Sequence, residues 1–133
     1  MAAMTGRVLI ALAFLLGAFG CHADAFIPEG TARITPPASY RQWWEASRSC
    51  VNKPEWRHFE DIAWYWSPEP LISGEGVEAV GLTIENRVYI QVLYANVPWI
   101  VQHELVHAIN GLHGHPPDPF QRCHLLTWQG EHL

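Results

Sequence analysis

Lysine is almost missing from this chain: Lys53 is the only one in 133 residues, and Lys and Arg together number 8 against 13 Asp and Glu. The resulting charge of −5 and pI near 5.8 leave no basic footprint for nucleic acid, whose binding rests on neutralising phosphates. Anionic lipid surfaces are disfavoured as electrostatic partners on the same ground. No apolar run reaches the roughly twenty residues of a membrane-spanning helix; the longest runs from Val8 to Phe19. Methionine occurs only at Met1 and Met4, and cysteine only at Cys21, Cys50 and Cys123. Charge is sparse at 16%, but apolar residues make up 49%, which is a globular composition and not a disordered one. At this length one domain is the expectation.

The N-terminus reads as an export signal. Arg7 precedes the unbroken apolar run, which suits the core of a signal peptide and lacks the polar face of a packed helix. Ala18-Phe19-Gly20-Cys21 resembles a bacterial lipobox, which makes Cys21 the expected lipidated residue; Ala23-Asp24-Ala25 offers a competing cleavage site. The expected organisation is a signal peptide over residues 1–23, an extended Pro- and Gly-containing tether over 24–38, and one domain over 39–133. Parity then pairs the remaining cysteines. An exported domain normally leaves no odd thiol, so Cys50 and Cys123 are expected to form a disulfide. It would close most of the domain into one loop, worth roughly 4 kcal/mol on chain-entropy grounds.

Within the domain, Tyr40 to Cys50 carries Tyr40, Trp43, Trp44 and Ala46 at helical spacing, and Phe59 to Trp66 ends in a strand-like aromatic run. Val80–Ile84 and Val88–Leu93 flank Glu85-Asn86-Arg87 as a hairpin. Histidine is abundant, with His103, His107, His113, His115 and His124 crowded together. Asn96 and Pro98 predict a helix start and Asn110-Gly111 its end. Between them Val101, Leu105 and Ala108, with Leu112 beyond, would face the core. His103 and His107 are four residues apart and project from one side of that helix, with Glu104 between them. This is His-Glu-x-x-His on a helix, in which two imidazoles bind Zn2+ and the carboxylate serves as general base.

The segment Val101–Ala108 resembles the active-site helix of zincin metallopeptidases. More narrowly, the chain resembles small exported bacterial proteins of zincin type. Their pattern has a Trp-Trp pair before a Cys, an aromatic strand, the motif helix, Gly-His-Pro and a closing Phe-x-x-Cys. The matching residues are Trp43, Trp44, Cys50, Trp64, Tyr65, the helix, Gly114-His115-Pro116 and Phe120-Gln121-Arg122-Cys123. Such proteins often have two more Cys near Gly74 to Gly81, where this chain has none. The resemblance implies a small α+β single-domain zincin-like fold, with a short mixed or antiparallel sheet beside the helix.

A catalytic zinc wants a third protein ligand. His115 is preferred, because Gly114 and Pro116 pre-bend its loop and the Gly-His-Pro match carries it. His113 is the alternative, at metzincin spacing, although Asn110 stands where metzincins have Gly and no downstream Met exists. Asp118 and Glu131 are weaker options. The expected function is a zinc peptidase of the cell envelope, periplasmic or lipid-anchored, acting on peptide or protein substrates with Glu104 activating the attacking water. Tyr89, Tyr94 or a spare His would stabilise the oxyanion, and the hairpin edge would receive the peptide. Two other readings compete. One is a metal-binding domain without turnover; the other is a glycan- or peptidoglycan-binding module with Trp43, Trp44, Trp64 and Trp66 as its platform.

Overall fold

A computed structural model describes residues 24–51, 57–111 and 114–125. Its fold is a small α+β domain in which two helices pack on one face of a four-stranded mixed sheet. The strands are β1 (Ala32–Ile34), β2 (Ala63–Ser67), β5 (Gly81–Ile84) and β6 (Arg87–Gln91), in the order β1-β2-β6-β5. β2 is antiparallel to β1 and parallel to β6, while β5 and β6 form the expected hairpin. Its loop is Glu85-Asn86, so Arg87 belongs to the strand, and Glu85 takes a left-handed φ of 56°. A separate short hairpin, β3 (Leu71–Ile72) with β4 (Glu78–Ala79), lies in the return between the parallel strands.

Strand alternation sorts the side chains. Register places Ile34, Trp64, Val88 and Thr83 in one row, with Ala32, Trp66, Ile90 and Gly81 in the next, all on the helix-facing side. Tyr65 and Tyr89 are paired on the opposite face, their rings stacked at 4.8 Å. The first helix, α1 (Ala38–Val51), buries Tyr40, Trp44, Ser47 and Val51 as one stripe at helical spacing. Tyr40 is anchored further: its hydroxyl donates to the Ala95 carbonyl at 2.8 Å and accepts from Trp66 Nε1 at 3.2 Å. The second helix, α2 (Pro98–Asn110), buries Val101, Leu105 and Ala108 completely, as the spacing predicts. Pro98 opens it, since the first helical N–H has no partner to lose. Gly111 closes it at φ 63°, its N–H bonded to the His107 carbonyl at 2.8 Å.

Three expectations change on meeting the fold. Residues 24–38 are not a detached tether. Phe26 bridges to Ile72, and β1 completes one side of the sheet, packing Ile34 against the core. A three-residue strand is too short to announce itself by alternation. Val92 and Leu93, expected as the end of a strand, belong instead to a 3-10 turn over Val92–Tyr94. The tryptophans do not assemble into a platform, because Trp44 and Trp64 are core residues while Trp43 and Trp66 pack against that core. The cysteine pairing holds: Cys50 and Cys123, 73 residues apart, are joined with their Cα atoms at 5.9 Å. Such a bond belongs to an oxidising environment. Among the described residues no helix is long and apolar enough to cross a membrane. Cys21 and the expected signal peptide over residues 1–23 lie outside those residues.

Candidate metal centre

One side of α2 presents His103 and His107 one turn apart, their ring centroids 5.0 Å from each other. The chain turns back after Gly111, and residues 114–125 bring His115 against both. His115 Nε2 lies 2.8 Å from His103 Nε2 and 3.2 Å from His107 Nε2. All three can point a ligand nitrogen at one centre, the three atoms lying within 4.8 Å of one another. Nitrogens at about 2.0–2.1 Å from a tetrahedral ion stand roughly 3.4 Å apart, so the cluster matches the demand of such an ion. The chemistry agrees with the geometry. Burial, reinforced by the neighbouring imidazoles, holds His103 down at about 3, and burial also lowers His115. Protons are therefore disfavoured on His103 and His115, and a metal cation would take up the nitrogen lone pairs that converge there.

The surroundings orient these rings. His103 Nδ1–H donates to the Leu125 carbonyl at 3.0 Å, which leaves Nε2 as the free lone pair facing the cluster. Phe120, fully buried, packs against all three imidazoles at 4.9, 4.6 and 5.1 Å. Neither partner announces itself in the sequence as part of a metal site. Phe120 occurs in the Phe-x-x-Cys match, and the Leu125 contribution is a backbone atom that no motif can encode.

Glu104 turns toward the sheet. It is 6% exposed, and its Oε2 accepts from Thr83 Oγ1 at 2.8 Å; the same hydroxyl lies 3.0 Å from the Glu104 carbonyl. Burial raises its carboxyl from 4.5 to about 7, and the Thr83 bond opposes this. Gly81 makes the fit possible. A Cβ there would sit 2.8 Å from both Cγ and Oε1 of Glu104. Gly81 and Thr83 are the two partners sequence reading missed, because they sit some twenty positions upstream on another element.

β5 is the terminal strand of the sheet. The bond from Gln91 N–H to the Val80 carbonyl, at 2.8 Å, sets the ladder's alternation. Val80, Leu82 and Ile84 therefore turn their backbone groups to β6, and Gly81 and Thr83 turn theirs outward. A cavity of about 450 Å³ runs along this strand, lined by Leu82, Thr83, Ile84 and Tyr89 with residues such as Asp24 and Ile27 opposite.

Other candidates fall away. Asp118 is paired with Arg122 at 2.9 Å and is not in the cluster. Tyr89 sits on the sheet face turned away from α2, and Tyr94 packs against the core. His124 is exposed. His113 and Glu131 lie outside the described residues. No family model, curated protein or solved structure matches this chain.

Proposed function

We propose that the protein is a zinc-dependent peptidase of the bacterial cell envelope, with His103, His107 and His115 as metal ligands and Glu104 as general base. One observation carries the reading. Three imidazoles converge on one point, and the residue between two of them is a buried carboxylate, costly to fold unless used. A bound zinc ion would polarise a scissile carbonyl and make water acidic near neutral pH. Glu104, held by Thr83, would accept a proton from the attacking water and pass it to the leaving amine. The outward backbone groups of Gly81 and Thr83 would bind an extended peptide by strand addition, beside the strand that holds Glu104. The disulfide favours an oxidising compartment, consistent with export to the periplasm or with a lipid anchor at Cys21.

A metal-binding domain without turnover shares the histidines but gives the buried Glu104 no role. The test is metal analysis of purified protein, followed by peptide-library cleavage by wild type and Glu104→Gln. Stoichiometric zinc with cleavage that the variant lacks supports the peptidase. Zinc without cleavage supports the silent metal domain, and absence of zinc overturns both.

A further inference from the structure

Residues 114–125 form an arm with little regular structure, the short helix α3 (Pro117–Phe120) and turns, that packs through Phe120 and Leu125. This arm nevertheless supplies much of the metal centre: the ligand His115, the Phe120 ring beneath all three imidazoles, and the carbonyl that orients His103. Its fastenings to α1 sit together. Cys123 is bonded to Cys50, and the adjacent Arg122 donates to the carbonyls of Cys50 and Val51 while paired with Asp118.

We propose that the Cys50–Cys123 disulfide is the latch of the metal centre: closed, it holds His115 and the Leu125 carbonyl in place; open, it lets the third ligand go and metal affinity falls. The inference rests on the metal-binding part of the reading above and not on turnover. Cys50, Cys123 and Arg122 are positioning residues, since none is among the clustered ligands. With the bond open the arm keeps its chain link to α2, but the Arg122 bonds and the burial of Phe120 and Leu125 lose the covalent tie that holds them in register. His115 then samples a larger volume, and its effective concentration at the other two imidazoles drops.

The latch can be reached. Both cysteines are half-buried, and a cavity of about 50 Å³ lined by Ser47, Cys50, Gln102, Cys123 and Leu125 lies beside the bond. Opening is a two-electron reduction by a dithiol. One thiolate of the reductant attacks a cysteine sulfur, the Sγ–Sγ bond breaks, and the departing sulfur takes a proton. The second thiolate then breaks the mixed disulfide, leaving two protein thiols and an oxidised, disulfide-bonded reductant.

The test measures Zn2+ affinity of the full chain by competition with a chromophoric chelator. Three samples are compared: oxidised wild type, wild type reduced by a dithiol and alkylated before the reductant is removed, and Cys50→Ser/Cys123→Ser. The last two carry no free thiol at 50 or 123 to bind zinc in its own right. Both should bind zinc about 10–100-fold more weakly than oxidised wild type, the range for lost orienting partners. Bound Co2+ should lose its intense four-coordinate absorption, while far-UV circular dichroism keeps the signal of helices and sheet. The latch is overturned if affinity in the opened forms stays within about threefold of wild type. It is equally overturned if zinc is lost only together with the circular dichroism signal, since the bond would then be holding the whole fold. If the double variant does not fold, the reduced and alkylated wild type decides by the same criteria. Failure of oxidised wild type to bind zinc would sink the metal centre itself, and the latch with it.

Discussion

Replacing Gly81 with Ala puts one methyl group where Glu104 already is. The added Cβ would lie 2.8 Å from Cγ and Oε1 and 3.0 Å from Cδ, against an ordinary contact distance of 3.4–4 Å. Glu104 must move by about half an ångström or more, yet its carboxylate is buried and tied to Thr83 at 2.8 Å. Overpacking of this kind costs about 1–3 kcal/mol, and a weakened bond to a charged group adds about 1 kcal/mol or more. Backbone strain is not involved, because Gly81 has no positive φ. The cost should therefore vanish when Glu104 is removed. In a Glu104→Ala background, Gly81→Ala should even stabilise by about 0.4–1 kcal/mol, through the lost freedom of glycine in the unfolded chain. Urea unfolding of the four proteins in the double-mutant cycle reads the difference directly. Equal destabilisation by Gly81→Ala in both backgrounds would refute the close packing of strand and carboxylate.

Other consequences can be checked separately. In metal-free protein Glu104 titrates near 7 when folded, against 4.5 unfolded, so the native state holds the extra proton between those values. Its stability contribution is full below about pH 4.5 and is lost as pH rises through 7, by up to about 3 kcal/mol. Glu104→Gln should flatten that fall; urea melts with chelator at pH 5 and 8 that show the same wild-type-to-variant gap would contradict it. His115→Ala should weaken zinc binding by at least about 10–100-fold in chelator competition, and His103→Ala or His107→Ala should do so as strongly. Retention of full affinity by His115→Ala would transfer the third ligand to His113. Tyr40→Phe strands both Trp66 Nε1 and the Ala95 carbonyl, and should cost about 1–3 kcal/mol in thermal or urea unfolding.

Much of the local structure was legible in the chain. Tyr40 and Trp44 stand at helical spacing and α1 buries both, while Ala46 of the same expected helix is exposed. Pro98 and Gly111 bracket α2 because one lacks a needless N–H and the other accepts a left-handed φ. The four-residue interval between His103 and His107 forces their imidazoles to one side of any helix, whatever it packs against. An odd cysteine number, taken with the expected export signal, was enough to pair Cys50 with Cys123.

The rest depended on which distant segments met. No spacing rule places Gly81 and Thr83 against Glu104, because that contact follows from strand register and from how α2 crosses β5. The choice of His115 as third member of the cluster likewise needed the return of residues 114–125, where a carbonyl and a phenyl ring orient histidines that precede them. Periodicity encodes which face an element buries, since that is a local property of the backbone. It does not encode the partner across that face, which is decided by packing and register over the whole domain, and there only the tertiary structure spoke.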